Sequence, residues 1–556
     1  MSQRTYTPEM AVDLRIPIDV RMSPDGTRVA FGVHPIGHRE KDPTSAIFVV
    51  AADGSDEPLP LTGSERHHTA PRWSPDGSRI AYLSDRDKRG TMQLHIVAVT
   101  GGEPLRLTDL DGGVGNATWF PDGKSLFVTA RRKSLRGETE SKSEVKVASE
   151  QSKPHAVARV SATGGTPVEI GPTHGHVWGF ALSPDGSRLA AFISNENDRS
   201  DTYENLRLAI VSVEDGTSRD VAKFSGVPSD PRWSEDGRLI VCVGSQLPDI
   251  DPTNVFVIDA DTGDVTVIDD RGMTPNWAAF DGDDLIVHSV ETQRTRIDRT
   301  DTRGSEWEQL DLGPDVSQHW IESGTNIDSR NGRLAFTAAR SNRPPDLYVV
   351  APDETPVRLT DLNPQLDGIT FAEMEPIEWQ ASDGTTVHGW LLLPPGADVA
   401  RPLPLIAEIH GGPSTQRGNS FHGTWHDWAQ VFTARGYAVF VPNARGSTGR
   451  GGAFTGANRF DFGGGDFDDI LSGIDMLIER GVADANRLAI CGWSFGGFMT
   501  AWAITHTDRF KAAIAGAAPT NWVSKIGTTD IRPFNEWNLG VVNTEPDKVW
   551  ERSPIR

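Results

Sequence analysis

Gly492-Trp493-Ser494-Phe495-Gly496 lies between a strand-like run, Arg487-Leu488-Ala489-Ile490-Cys491, and a helix-like run over 498–506. Strand, sharp turn and helix with G-x-S-x-G at the turn read as a nucleophile elbow, which holds one side chain in a strained, exposed position. The flanking glycines are needed because a Cβ at either place would meet the neighbouring strand or helix. The turn sets the Ser494 hydroxyl at the end of a sheet, above a helix N-terminus that favours negative charge. G-x-S-x-G recurs by chance, and it is the strand before and the helix after that give this copy its weight. Ser494 is therefore the candidate nucleophile.

Around the elbow, strands alternate with helices. Val387 to Leu393 reads as a strand ended by Pro394-Pro395-Gly396, and Leu403-Pro404-Leu405-Ile406-Ala407-Glu408-Ile409 as a second, nearly continuous apolar strand. A helix is expected over 425–435, a strand over 437–441, a helix over 466–480 and a last strand over 510–514. This alternation predicts a mostly parallel, doubly wound sheet, whose ligands bind at the carboxyl ends of the strands, where Ser494 stands.

Before about residue 360 the pattern is different. Ser23-Pro24-Asp25-Gly26, Ser74-Pro75-Asp76-Gly77, Phe120-Pro121-Asp122-Gly123, Ser183-Pro184-Asp185-Gly186 and Ser234-Glu235-Asp236-Gly237 each precede an alternating apolar strand. Phe280-Asp281-Gly282-Asp283 and Ser329-Arg330-Asn331-Gly332 are degenerate copies. Pro pre-sets the first turn dihedral, Asp tolerates the second and Gly supplies positive φ. A second hairpin follows each marker, so each unit carries about four short strands, and the markers recur every 46 to 63 residues. Four-stranded units at this period are blades of a β-propeller, and seven markers predict seven blades. The expected architecture is an N-terminal seven-bladed β-propeller, residues 1–365, followed by an α/β-hydrolase region, 366–556, with a polar hinge over 361–368. The Lys-, Glu- and Ser-rich stretch 131–154 is expected to be a solvated loop, with a gating flap as its functional alternative.

A chain of 556 residues is too long for one core. Met1-Ser2-Gln3-Arg4-Thr5 lacks the apolar run of a secretory signal, and no stretch approaches about 18 consecutive apolar residues, so a cytoplasmic protein without a membrane span is expected. Cys242 and Cys491 fall in different predicted buried strands and are expected as free thiols in a reducing compartment. The net charge of −23 repels nucleic acid and anionic membrane alike. The 11 Lys against 43 Arg fit either a salt-loving host or an Arg-biased genome.

Acyl transfer needs a base for the serine proton, an orienter for that base, and donors for the oxyanion. The Phe495 N–H follows the nucleophile and opens the helix. The second donor should come from His410-Gly411-Gly412-Pro413, where glycines let a backbone N–H approach a substrate carbonyl; Gly412 is favoured, then Gly411. His410 belongs to this loop and reads as structural. This chemistry implies no metal or cofactor, and the Gly-rich stretch 446–465 lacks the G-K-[S/T] end of a phosphate loop, so nucleotide binding is not expected.

His410 to Pro413, Asn443-Ala444-Arg445-Gly446-Ser447-Thr448-Gly449 and Cys491 to Thr500 together resemble the prolyl oligopeptidase family of serine peptidases, most nearly its acylaminoacyl-peptidase-like branch. The propeller before the hydrolase extends the resemblance over nearly the whole chain. It implies a peptidase for short peptides, with the propeller screening out folded proteins; related enzymes are often homo-oligomers, and the sequence leaves the oligomeric state open. Two departures stand out. In several branches a tyrosine follows the Gly449 position and joins the oxyanion hole; here Arg450 stands there, which suits the branch that manages with backbone donors. No Glu-Glu pair exists, which disfavours the dipeptidyl-peptidase branch that anchors a free amine with paired glutamates.

The larger departure concerns the triad. In α/β-hydrolases the order is Ser, then Asp or Glu, then His. Of the 62 residues after Ser494 only His506 is a histidine, and Asp508, Asp530 and Asp547 lie beyond it. His506 would sit roughly 18 Å along the helix from Ser494, out of reach. The closing Ser553-Pro554-Ile555-Arg556 resembles the family's lead-in to the strand before the catalytic Asp. Acid and base are therefore expected beyond residue 556, the chain alone is expected to be nearly inactive, and the 510–514 strand is expected to be an exposed apolar edge. A carboxylesterase on the same fold and a catalytically inactive propeller binding module are the rival readings.

Overall fold

Each Ser-Pro-Asp-Gly turn closes on one carboxylate. The Ser hydroxyl donates to the Asp two residues on, at 2.6 Å for Ser23–Asp25 and 2.6 Å for Ser183–Asp185. The same Asp accepts the backbone N–H of Thr27 or Ser187, and the Ser oxygen accepts the N–H of Arg28 or Arg188, the first strand residue. The serine hydroxyl, then the backbone N–H, hold Asp76 and Asp185 down to about 2. The turn is thereby fixed at the start of the strand that follows it.

The computed structural model describes residues 4–37, 44–135, 153–172, 174–246, 253–313, 320–321, 326–352, 354–398 and 400–556. Within them, seven antiparallel sheets succeed one another at 15–60, 68–106, 114–170, 176–224, 232–268, 274–309 and 320–358, six of four strands and the last of five. These are blades 1 to 7, as the turn markers predict. Most of the 131–154 stretch lies outside the described residues.

Adjacent blades are stapled by a repeated pair of residues. The indole N–H of Trp73 donates to Arg21 O (2.9 Å), that of Trp119 to Arg72 O (3.0 Å) and that of Trp233 to Ala181 O (3.1 Å), each reaching the inner strand of the preceding blade. The Arg just after a turn marker reaches forward: Arg79 donates to Gly123 O and lies over Trp119, and Arg188 donates to Gly237 O and lies over Trp233. Among the described residues every blade is built from consecutive strands, and no strand is exchanged between first and last. The ring closes instead through apolar packing, with Val20, Val29 and Phe31 of blade 1 against Ala335, Leu347 and Val349 of blade 7, and through the Met22 N–H to Asp328 (2.9 Å).

Beyond blade 7 a six-stranded sheet runs in the order Met374–Gln380, Thr386–Leu392, Ala438–Asn443, Leu403–Ile409, Ala483–Trp493 and Phe510–Gly516. The last three junctions are parallel and the first two antiparallel. Helices Gly465–Glu479 and Phe495–His506 pack on it around Phe440, Ile470, Ile474, Phe498 and Trp502. This is the α/β-hydrolase half of the expected architecture. The Phe510–Gly516 strand is the sheet's edge, and Ile514 is 52% exposed.

Three local features differ from the sequence reading. The helix expected over 425–435 shrinks to Ala429–Thr433, because the Trp428 N–H is drawn to Glu408 (2.8 Å) and the Thr424 N–H to Asp427 O, which makes 424–428 a turn. The short helices Trp522–Thr528, Arg532–Leu539 and Pro546–Glu551 were not legible in sequence. Residues 4–14, counted with the propeller by sequence, pack on the hydrolase sheet's side. Tyr6 is buried there against Phe371 and Phe421 and donates to Gly423 O.

Replacing Trp119 with Phe keeps the ring and removes one staple. A loss of about 1 kcal/mol is expected, read as a lower urea midpoint; an unchanged midpoint would remove the staples from this account of blade packing.

Candidate active site

The elbow is built by close approach. Ser494 has φ 57 and ψ −115, a left-handed conformation that costs an L-residue energy. It is held there by its own N–H, which donates to Gly516 O (2.9 Å), and by its carbonyl, which accepts the Phe498 N–H (2.9 Å). A Cβ on Gly496 would lie 2.0 Å from Ile409 O, and one on Gly492 2.5 Å from the same atom, so only glycine lets the elbow sit on the end of the neighbouring strand. Ser494 is exposed, and among the described residues its hydroxyl has no histidine or carboxylate partner.

The loop His410-Gly411-Gly412-Pro413 continues that neighbouring strand and lies on the elbow. A Cβ on Gly411 would be 3.5 Å from the Ser494 Cβ and 3.3 Å from Trp493 O. Phe495 opens the elbow helix, where the first N–H groups have no intrahelical acceptor. The structure thus brings Ser494, Phe495 and Gly411 together, with Gly412 the next residue of the loop.

His410 points away from it. Its Nε2 is 3.0 Å from Ser447 Oγ, and its Nδ1 faces Gly411 O (2.7 Å) and Thr415 Oγ1 (3.2 Å). Burial pushes it down to about 4, so it is neutral at pH 7. His506 stacks on Trp502 with ring centroids 3.9 Å apart, at the far end of the elbow helix. Arg450 is committed elsewhere, donating to Thr386 O (2.6 Å) with its guanidinium over Phe454.

Two features were missed by sequence reasoning. Trp425 meets Trp493 edge-on at 5.4 Å, forming an aromatic wall beside Ser494. Glu408 is a buried acid in the strand leading to the loop, one Oε accepting the Trp428 N–H and the other without a partner. A lone charge in an otherwise apolar strand was the available signal. Burial, and then the neighbouring Asp427 carboxylate, push Glu408 up to about 7. Burial also works against ionised Asp427, but Arg417 and His426 outweigh it and hold that carboxyl well below the usual range. Arg417, His422, His426 and Asp427 line a cavity of about 270 Å³ between residues 416–427 and blades 1 and 7.

The matches with known proteins fall on these same elements. A model of the prolyl oligopeptidase family matches residues 409–556, and one of the TolB β-propeller domain matches 16–156. An uncharacterised peptidase of Bacillus subtilis, YuxL, is 31% identical over 97% of this chain and 86% of its own length. The chain belongs to the prolyl oligopeptidase family. A dipeptidyl-peptidase 5 of Porphyromonas gingivalis is 25% identical over 98% of the chain and 83% of its own. Among solved structures, the acylaminoacyl peptidase of Pyrococcus horikoshii shares the fold with a TM-score of 0.79 at 20% identity, over 99% of this chain and 85% of that one. The family makes the chain a peptidase. No helix among the described residues is long and apolar enough to cross a membrane.

Glu408 gives a pH signature. Its folded value lies above that of the unfolded chain, so its stabilising contribution is complete below about pH 4.5 and is lost as pH rises through about 7. Glu408→Gln keeps the bond to Trp428 and removes the ionisation. Its stability gain over the parent should be near zero at pH 4 and grow to roughly 1–3 kcal/mol at pH 8. A gain that is flat with pH in thermal melts would refute the assignment.

Proposed function

We propose that this protein is a serine peptidase hydrolysing short peptides by acyl-enzyme chemistry, of the acylaminoacyl-peptidase or oligopeptidase type. Ser494 attacks the scissile carbonyl, and the N–H groups of Phe495 and Gly412, with Gly411 as the alternative, hold the oxyanion. The observation that carries this reading is the strained, exposed Ser494 seated against the 410–412 loop. The peptide lies between hydrolase sheet and propeller, with the Trp425–Trp493 wall beside the nucleophile. The relatives' names span acylaminoacyl and dipeptidyl peptidases, so the choice between a blocked and a free substrate N-terminus rests on the absence of a Glu-Glu pair, which favours the blocked one.

The triad acid and base lie outside these 556 residues in this reading. Ser494 has no base among the described residues, His410 and His506 are engaged elsewhere, and the Phe510–Gly516 edge offers a free side on which further strands can pair. Without the base Ser494 remains a weak nucleophile, and a rate of only about 10³–10⁴ over water is expected. The same missing partner is what favours the second reading, an inactive binding module.

The test compares N-acylated with free-amine short peptides, and with matched esters, on the 556-residue chain and on the chain extended through its reading frame. Cleavage of N-acyl peptides by the extended chain only, abolished in Ser494→Ala, is expected. Full activity of the 556 residues alone would contradict the external base. An extended chain that leaves every peptide intact would contradict the peptidase, and one that takes esters alone would make it an esterase.

A further inference from the structure

Blade 6 grips the hydrolase at Gly449, besides the Gln293 side chain donating to Gly389 O. The Gly449 N–H donates to the buried Thr274 hydroxyl (2.8 Å), and Gly449 O accepts the Thr292 N–H (2.6 Å). Gly449 has φ +90, and a Cβ there would lie 2.9 Å from the Gln416 side chain and 3.0 Å from Thr292 O, so the clamp closes only on glycine. Gln416, with its amide turned so that the NH₂ faces the carbonyls of Thr292 and Thr448, seals the same junction.

From that clamp two arms run to the loop on the elbow. Ser447 Oγ meets His410 Nε2 (3.0 Å). The Thr448 N–H donates to Thr415 O (3.0 Å), and the Thr415 hydroxyl donates to Gly411 O (2.6 Å). The second arm ends on a peptide plane that matters. Gly411 O and the Gly412 N–H belong to one planar, trans amide, so a hydroxyl pinning the carbonyl aims the N–H in the opposite direction. His410 Nδ1 faces the same carbonyl, at 2.7 Å.

We propose that blade 6 of the propeller sets the aim of the Gly412 N–H through this relay, with Thr274 as a positioning residue for the oxyanion donor. The catalytic consequence rests on the peptidase reading above; the mechanical coupling does not. A propeller that shifts by even part of an ångström then alters transition-state stabilisation without touching the substrate, since oxyanion donors act over a narrow range of distance. Binding of the ground state is left largely alone.

Thr274→Val keeps the shape and removes the acceptor, and Thr274→Ser restores it. In the protein extended through its frame, Thr274→Val is expected to lower kcat about 10-fold with KM within about twofold, and Thr274→Ser to recover most of the loss. Hydrogen exchange on the same proteins reads the coupling without any turnover: protection should fall at 447–450 and also at 411–416, with blade 4 unaffected. Exchange that rises at 447–450 alone, or a kcat equal to the parent's, would overturn the proposal. If the parent hydrolyses nothing, the peptidase reading fails while the exchange pattern still decides the coupling. Should Thr274→Val not fold, Gln416→Met takes its place under the same criteria.

Discussion

The carbonyl of Ile409 has no room for a side chain above it. It lies 2.5 and 2.0 Å from where Cβ atoms would stand on Gly492 and Gly496, far inside contact distance, and Gly516 O stands likewise against Gly497, at 2.2 Å. These contacts let the elbow strand, the elbow helix and both flanking parallel strands converge at one point. Ser494 is then forced into its left-handed conformation, and its N–H is spent on Gly516 O. The loop after Ile409 has only one place to go, across the top of the serine. The candidate site is the geometric result of backbone packed on backbone, and Gly492, Gly496 and Gly497 each mark an approach that no other residue allows.

The propeller obeys a different economy. Its blades repeat one device, a Ser–Asp turn feeding a strand, with Trp and Arg reaching to the neighbours. Among the described residues no strand is exchanged at the ring's closure, and blades 1 and 7 adhere by apolar contact and the Met22–Asp328 hydrogen bond. Where the propeller meets the hydrolase, the contacts include Thr274 and Thr292 on Gly449, Gln293 donating to Gly389 O, Gln430 donating to Ser341 O and Ser200 donating to Asp530 O. A chain that begins on one unit, circles through seven blades and returns ties the two together at both ends of the ring.

Much of this was legible in sequence because it rests on local signals. The turn tetrapeptides count the blades, and G-x-S-x-G with its flanks places the elbow, since both depend on residues within ten positions of one another. The helix at Ala429 was over-extended because what ends it is Glu408, twenty residues earlier, taking the Trp428 N–H. The Trp425–Trp493 contact, the burial of Glu408 and the Gly449 clamp were invisible for the same reason: each joins residues distant in the chain. His410 and His506 could be set aside from spacing alone, and the structure gives both rings other partners.

The account stands or falls on Ser494 as the residue that becomes acylated. The most direct measurement is fluorophosphonate labelling of the protein purified from its own host, followed by peptide mapping by mass spectrometry. The account predicts a single adduct, on the peptide that carries Ser494. An adduct on another serine, or none in a protein that cleaves peptides, would contradict it.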